Sequence, residues 1–432
     1  MQLPEIIKAE LDYIEQNLKT DITAKELAQL AGYSTYHYYR LFSSVMGTSI
    51  SMYILKRRLV HALVEISGNR KPIDVVLEYG FDTYAGFYKA FVKMYGCSPK
   101  KYLSIYGKQT LNKPEVFFMH TKNEVKQVLE NWDIPQNLPI EDVYVMHDTR
   151  AAGNVWSVGD DYILKTGNRT MLLKNLMVAK ALANKGFSSS LPIPTKSNSE
   201  YLAGEDFFVL TRKIKGSPLP NSAHYGADRK KYAEQYGRGI ARLHQALKSI
   251  QSDIALDEVE LYNDVTSWAL PNLRQQNQQW GLQIDKGFFE DYQVEFGKLY
   301  HKLPKQLIHR DPNPSNILFD AGDISGFIDF DLSEINVRLW DPCYCATGIL
   351  SDNNMEMYKI WFEILSGILH GYDSINPLTE EEKRSVYHVV CSIQMICIAF
   401  FESKDEYKEL AKSNRQMLQF IIQNRGKIDT IF

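Results

Sequence analysis

The chain has few cysteines. Only 5 occur in 432 residues, none of them forms a CxxC pair, and Cys343 and Cys345 are separated by a single residue. This pattern indicates neither a disulfide framework nor a zinc site. It fits the reducing cytosol, and we expect the protein to be cytoplasmic.

Long apolar segments are also lacking. The longest, Val389 to Phe401, contains Ser392 and Gln394 and is too short to span a bilayer, so it is predicted to be a buried helix. The N-terminal segment MQLPEIIKAELDY carries acidic residues and has no apolar core of the signal-peptide type. We therefore expect no membrane association.

Neither sign of charge dominates, since 49 Lys and Arg stand against 52 Asp and Glu. Hydrophobic residues make up 44% and charged residues 23%, which excludes a disordered chain and a coiled-coil rod. At about 150 residues per domain, the length predicts two or three globular units. Residues 1–107 carry 13 Lys and Arg against 10 Asp and Glu, whereas the remainder is acidic. This modest basic excess does not by itself indicate a nucleic-acid partner.

The first segment contains an internal repeat. AGYSTYHYYRLFSSVMG (31–47) recurs loosely as YGFDTYAGFYKAFVKMYG (79–96), so that Arg40 matches Lys89. Each copy predicts a short helix, a glycine turn and a second helix. Thr23 and Glu26 form a capping-box pattern, and Pro72 is placed to open a helix. The run from Ser49 to Ser67 predicts one linking helix, about 28 Å long.

Helical spacing gives each copy a buried and an outward face. In the first copy the predicted core residues are Tyr38, Leu41, Phe42 and Val45, and in the second they are Phe87, Ala90, Phe91 and Met94. The outward residues carry hydroxyl, aromatic and cationic groups, which suit a DNA major groove. A small helical bundle with solvated outward side chains remains the alternative.

The N-terminal segment resembles the DNA-binding domain of the AraC-type transcription regulators. The resemblance runs from ITAKELAQLAGYS through RLF and YILKRRLVHAL to VVLEYGFDTYAGFYKAFVKMYGCSPKKYL, and the closing GxSPxxY pattern is especially typical. It implies an all-α double helix-turn-helix domain over residues 1–107 that binds a double-stranded DNA operator. The implied DNA-contacting residues are Tyr36, Tyr39 and Arg40 in the first helix and Tyr84, Ala85, Tyr88 and Lys89 in the second.

After a linker at 108–115, the strongest chemical motif is LIHRDPNPSNILFDAGDISGFIDFD, from Leu307 to Asp331. The strands NILF and ISGFIDF predict a hairpin that brings Asn316 opposite Phe327 and close to Asp329. Two oxygen ligands at one point suit Mg²⁺ shared with nucleotide phosphates. Asp311, on the preceding loop, could accept the proton of an attacking hydroxyl.

An early strand offers a cation for the phosphates. DYILK contains Lys165, and upstream Gly153 and Asn154 could form a turn that approaches a phosphate through backbone amides. Without the downstream motif, Lys165 would be read as an ordinary lysine at the end of a strand.

Residues 116–432 resemble the aminoglycoside phosphotransferase and choline kinase group, with similarity to homoserine kinases. HRDPNPSNILFDAGDISGFIDFD, YGRGIARLHQAL and GYDSINPLTEEEK carry this resemblance. It implies an α+β, bilobal, kinase-like domain with a small lobe at about 116–215, a hinge near FFVLTRKIKG and a helical lobe at about 216–432. The implied cofactors are ATP and Mg²⁺, and the substrate is a small hydroxylated molecule.

The resemblance also implies residue roles. Asp311 is the catalytic base, Asn316 and Asp329 bind the metal, Lys165 binds the ATP phosphates, and His309 and Asp341 brace the loop. Two positions depart from the group: Arg310 replaces the usual Gly, and Asn175 stands where a carboxylate normally pairs with the strand lysine. No APE motif follows IDFD, which disfavours a protein substrate.

Three functions remain open on these observations. The phosphotransferase-like domain could be an active enzyme joined to a DNA-binding regulator. It could instead be a ligand sensor that controls DNA binding without turnover. Thirdly, the chain could be mainly a metabolite or antibiotic kinase with an accessory N-terminal domain. We expect a DNA-binding regulator with a competent kinase-like domain; the sequence predicts no oligomeric state.

Overall fold

The computed structural model describes residues 3–30, 42, 50–68, 70–95, 98–100, 122–143, 155–204, 206–254, 256, 258–351, 358–402 and 408–432. The chain divides into two compact units. The first comprises Met1–Asn168 and Pro194–Leu210, and the second comprises Arg169–Ile193 and Thr211–Phe432.

The N-terminal part of the first unit is helical. Its helices are α1 (Leu3–Gln16), α2 (Ala24–Leu30), α3 (Ile50–Ser67), α4 (Pro72–Glu78) and α5 (Tyr84–Tyr95). The predicted capping box is present at α2, where the Thr23 amide donates to Glu26 at 2.9 Å and the Glu26 amide donates to the Thr23 hydroxyl at 3.2 Å. Pro72 opens α4, as the sequence predicts.

The linking helix α3 is present and ends at Ser67 as predicted, while Ser49, its predicted first residue, lies outside the described residues. An ion pair between helices ties it to α1, because the buried Arg57 donates to both carboxylate oxygens of Glu15, at 2.6 and 2.8 Å. His61, one turn further along α3, lies 3.0 Å from Glu15. These contacts add to a core that includes Leu59, Leu63, Phe87 and Phe91.

The rest of the first unit contains α6 (Lys122–Leu129) and a five-stranded sheet. The strands are β1 (Ile140–Asp142), β2 (Val155–Val158), β3 (Tyr162–Thr166), β4 (Leu202–Ala203) and β5 (Phe207–Arg212), in the order β1-β2-β3-β5-β4. β2 and β3 are antiparallel, with Val155 opposite Lys165. The side chains of Trp156, Leu164 and Leu210 are buried in it.

The second unit is predominantly helical. Its helices are α7 (Arg169–Asn184), α8 (Asn221–Tyr225), α9 (Arg229–Ile250), α10 (Leu261–Asp264), α11 (Leu270–Gln276), α12 (Lys286–Asp291), α13 (Gly297–Tyr300), α14 (Trp340–Ser351), α15 (Tyr358–Asp373), α16 (Glu380–Glu402), α17 (Lys408–Gln423) and α18 (Arg425–Asp429). α9 and α15 pack so closely that a Cβ added to Gly237 of α9 would overlap the Ile368 carbonyl oxygen of α15.

In this unit, the HRD motif (residues 309–311) lies between strands of two short antiparallel pairs. β6 (Lys305–Ile308) pairs with β9 (Glu334–Val337), and β7 (Ile317–Asp320) pairs with β8 (Asp323–Phe327). The predicted hairpin is present, but its register is shifted by one residue: Ile317, and not Asn316, lies opposite Phe327. The reason is local, since Asn316 ends a 3₁₀ turn that Asn313 caps by accepting from the Ser315 amide at 3.1 Å.

The apolar segment 389–401 lies in α16. Among the described residues, α16 is the one helix long and apolar enough to cross a membrane, and 72% of its most apolar stretch is buried inside the protein. Val389, Met395 and Ile398 are buried as predicted, whereas Phe400 is exposed.

Candidate functional site

The loop between β6 and β7 is held by one buried carboxylate. Asp341, at the start of α14, accepts from the backbone amides of His309 at 2.8 Å and Arg310 at 3.0 Å. It also lies 2.8 Å from Nε2 of the buried His244. Arg310 has a φ of 76°, which is uncommon for a residue with a Cβ. Asp341 therefore braces this loop, as expected.

Asp311 and Asn316 meet on this loop. The Asn316 amide nitrogen donates to the Asp311 carbonyl oxygen at 3.0 Å and to its carboxylate at 3.2 Å. This contact turns the Asn316 amide nitrogen toward Asp311, so the amide oxygen faces away from it.

The environment of Asp311 favours proton acceptance. Burial raises the pKa of Asp311, and the nearby Asp329 acts in the same direction, while His309, Tyr344 and Asn316 oppose the shift. A carboxylate whose pKa is raised is a stronger base than an exposed aspartate.

Asp329 follows β8 in a left-handed conformation, with a φ of 70°. Hydrogen bonds hold the backbone of Ile328, the residue before it. The Ile328 amide donates to the Asn316 carbonyl oxygen at 3.0 Å, and the Ile328 carbonyl oxygen lies 2.9 Å from Nε2 of His309. These contacts place the backbone of Asp329 beside the loop that carries Asp311 and Asn316.

The ligand set fits a magnesium ion that is shared with phosphates. No group of three or more His, Cys, Asp or Glu side chains that could hold a metal occurs in the described part of the chain. Asn316 and Asp329 offer an amide oxygen and a carboxylate, the hard oxygen ligands that Mg²⁺ prefers. Mg²⁺ sites of this type use only one or two protein ligands together with substrate phosphates, and the number of predicted ligands agrees with this.

Lys165 and the predicted glycine turn are the residues expected to bind the ATP phosphates. Lys165 lies half-buried on β3, in the first unit. Gly153 and Asn154 lie outside the described residues. The roles of these three residues toward ATP stay predictions.

Sequence reasoning missed Tyr344, whose hydroxyl lies close enough to the Asp311 carboxylate to lower the pKa of Asp311. Tyr344 stacks on Trp340, one turn earlier on α14, with ring centroids 5.7 Å apart. The guanidinium of Arg310 lies 3.5 Å from the centre of the Trp340 ring on which it stacks. Trp340 and Tyr344 are four residues apart in WDPCY, a spacing that could have indicated that both lie on the same face of a helix.

Asn175 has a partner that the sequence did not reveal. Its side-chain oxygen accepts from the Phe330 amide at 2.9 Å, and the neighbouring Lys174 donates to the Ser333 carbonyl oxygen at 3.2 Å. Both contacts join α7 to the segment after Asp329.

The second predicted DNA-contacting helix presents the expected face. On α5, Phe87 and Phe91 are buried, while Tyr84 and Tyr88 are 38% and 43% exposed. Ala85 and Lys89 are exposed as well. In the first copy Phe42 is buried as predicted, whereas Tyr36, Tyr39 and Arg40 lie outside the described residues.

Two family models match the chain. A helix-turn-helix domain matches residues 27–105, and a phosphotransferase enzyme family matches residues 149–378. The N-terminal segment is 36% identical over 98 residues to the HTH-type transcriptional activator AarP of Providencia stuartii, covering 22% of this chain and 73% of AarP. It is 35% identical over 99 residues to the putative HTH-type transcriptional regulator YkgA of Escherichia coli K12, covering 23% of this chain and 41% of YkgA.

Solved structures match the chain over about 70% of its length. An amicoumacin kinase solved with AMP-PNP and Ca²⁺ aligns with a TM-score of 0.51 at 14% identity, over 70% of this chain and 94% of its own. A microcompartment-associated aminopropanol kinase aligns with a TM-score of 0.51 at 15% identity, over 72% of this chain and 99% of its own. At this identity, the likeness establishes the fold.

The fold and the matches define the class of protein: a helix-turn-helix regulator fused to a kinase-like phosphotransferase domain. The phosphotransferase match covers more than half of the chain, and the N-terminal match covers more than two thirds of AarP. The chain therefore belongs to the phosphotransferase enzyme family and carries an N-terminal domain of the AraC-type helix-turn-helix regulators.

Proposed function

We propose that this protein is a cytoplasmic transcription regulator that binds a double-stranded DNA operator and transfers a phosphoryl group from ATP to a hydroxyl of a small molecule. The observation that carries the catalytic part is the loop on which Asp311 meets Asn316, with Asp329 close enough to raise the pKa of Asp311. The exposed face of α5 supports the DNA-binding part.

The roles follow from the chemistry of the side chains. Asp311 accepts the proton of the substrate hydroxyl as that oxygen attacks. Asn316 orients the Asp311 carboxylate through its amide nitrogen, and its amide oxygen, with Asp329, would hold Mg²⁺. ATP would supply the phosphoryl group and leave as ADP, and bound Mg²⁺ would offset the negative charge of the phosphates.

A sensor without turnover is the second candidate. It is favoured by Asn175, which stands where the family resemblance implies a carboxylate and instead accepts from the Phe330 amide. With an amide at this position, the domain could bind nucleotide and still transfer phosphate poorly. The presence of Asp311, Asn316 and Asp329 together favours the enzyme.

The catalytic proposal is tested with Asp311→Asn, and Asp320→Asn, an exposed carboxylate on β7, is the matched control. ADP release is measured against a panel of amino alcohols, aminoglycosides and sugars, and AMP-PNP binding is measured in parallel. Loss of the base should lower turnover by about 10²-fold or more while AMP-PNP binding is retained. If wild type binds AMP-PNP with Mg²⁺ but releases no ADP with any compound, the catalytic proposal is refuted and the domain is a ligand sensor without turnover.

The DNA-binding proposal is tested with Lys89→Ala on a duplex selected by the wild-type protein from a random library. If Lys89 reads a base, its loss should weaken binding to the selected duplex by about 1–3 kcal/mol. If it contacts a phosphate, the affinity should fall by the same factor for every DNA sequence. Lys298→Ala, in the phosphotransferase domain, should leave the affinity unchanged. Equal affinities for wild type and both variants would contradict the assignment of α5 to the groove.

A further inference from the structure

The segment after Asp329 is fastened to α7 by two adjacent side chains. Asn175 is 7% exposed, and its Oδ1 accepts from the backbone amide of Phe330 at 2.9 Å. The Lys174 ammonium donates to the carbonyl oxygen of Ser333 at 3.2 Å. One turn of α7 therefore contacts both ends of the short 3₁₀ turn Phe330–Leu332.

The conformation of Asp329 explains why such a contact is needed. Its φ of 70° is disfavoured for a residue with a Cβ, so the surrounding structure must impose it. Three hydrogen bonds do so: His309 to the Ile328 carbonyl oxygen, the Ile328 amide to the Asn316 carbonyl oxygen, and the Phe330 amide to Asn175.

These three hydrogen bonds have different origins. Two come from the loop that itself carries the proposed base and metal ligand. The third comes from α7, which is separated from Phe330 by 155 positions in the chain. It fixes the backbone on the C-terminal side of Asp329, and it satisfies a buried backbone donor that would otherwise be costly to leave unpaired.

We propose that Asn175 is a positioning residue for Asp329: by accepting from the Phe330 amide, it holds the Asp329 carboxylate in the orientation that binds the metal. The proposal rests on the function above, in which Asp329 is a metal ligand. The carboxylate expected at this position would pair with the strand lysine. The side-chain oxygen of Asn175 instead holds the backbone next to Asp329. A displacement of α7 would then weaken metal binding in the nucleotide complex.

The test compares Asn175→Leu, which has a similar size and no acceptor, with Asn175→Asp, which keeps the acceptor oxygen. Mg²⁺ is titrated calorimetrically into full-length protein with a fixed concentration of AMP-PNP. The Leu variant should bind Mg²⁺ about ten-fold more weakly, as expected from the loss of one acceptor for a buried donor. The Asp variant should remain within about three-fold of wild type. AMP-PNP binding without Mg²⁺ should be unchanged in both.

Asn184→Leu is the matched control, since Asn184 is an exposed residue at the end of the same helix. If wild type binds AMP-PNP without any dependence on Mg²⁺, the proposed function fails. If wild type depends on Mg²⁺ and Asn175→Leu has the same Mg²⁺ affinity, the role of Asn175 is refuted while the proposed function stands.

A second measurement covers the case in which Asn175→Leu does not fold. Hydrogen exchange of wild-type protein with AMP-PNP is compared with and without Mg²⁺, peptide by peptide. The contact predicts that segment 328–333 and α7 gain protection together on addition of Mg²⁺. Protection of segment 328–333 with α7 unchanged would overturn the proposal.

Discussion

Asp341 is the residue whose loss should damage the phosphotransferase domain most. It is fully buried and accepts three hydrogen bonds, from the backbone amides of His309 and Arg310 and from the imidazole of His244. His244 in turn lies 2.7 Å from the hydroxyl of Tyr372 on α15. The carboxylate therefore connects α9, α14 and the loop that carries Asp311.

The magnitude follows from the number of donors that Asp341→Ala leaves without a partner. A buried donor left unsatisfied costs about 1–3 kcal/mol, so three of them cost roughly 3–6 kcal/mol if water reaches some of the vacated space. The left-handed conformation of Arg310 loses its support in the same variant. Since a domain is stable by about 5–15 kcal/mol, this is a large fraction of the total.

The assay is urea unfolding at equilibrium, followed by tryptophan fluorescence. Trp340, one of the six tryptophans, begins the helix that contains Asp341 and donates to the Arg310 carbonyl oxygen at 2.9 Å, so unfolding of this loop contributes to the change in emission. Asp429→Ala is the control, because its ion pair with Arg425 is exposed and should contribute about 0.5 kcal/mol or less. A loss of under about 1 kcal/mol for Asp341→Ala would refute the reasoning.

Two further predictions concern other parts of the chain. Tyr344→Phe removes the hydroxyl that interacts with the Asp311 carboxylate and lowers its pKa, so kcat should fall about ten-fold with an unchanged KM for ATP; a KM effect alone would contradict this role. Burial raises the pKa of Glu15, but hydrogen bonds from His61 and Arg57 outweigh it and hold the pKa below that of an exposed glutamate. The stabilisation is therefore complete above the usual glutamate pKa and is lost as the pH falls through the lowered one. In circular dichroism melts, the Tm of Glu15→Gln should fall less than that of wild type on acidification.

Short-range patterns predicted much of the fold. The 3.6-residue period in YAGFYKAFVKMY separates buried Phe87 and Phe91 from exposed Tyr84 and Tyr88, and the structure confirms this division. The capping box at Thr23 and the helix start at Pro72 are equally local, since each depends on residues within one turn. Such features need no knowledge of the tertiary structure.

Long-range pairing was harder to predict. The hairpin register differs by one residue, because the turn that Asn313 caps keeps Asn316 out of β7. A pattern of alternating residues specifies which face is buried, but the preceding turn decides where the strand begins. The contacts of Asn175 and Tyr344 join segments far apart in the chain. The spacing of Trp340 and Tyr344 indicates a shared helix face, but it does not identify Asp311 as the residue that this face meets.

Arg310 shows why an HRD sequence does not by itself indicate regulation of the protein-kinase type. In protein kinases, an activation loop can be ordered when a phosphorylated residue pairs with arginine. Here Nε of Arg310 pairs with Glu334 at 2.8 Å, and the guanidinium stacks on Trp340. Burial raises the pKa of Glu334, and the charge of Arg310 opposes that shift, so removing the arginine would leave a buried carboxylate without its cation. The arginine therefore serves the internal structure of the loop, which agrees with a small-molecule substrate.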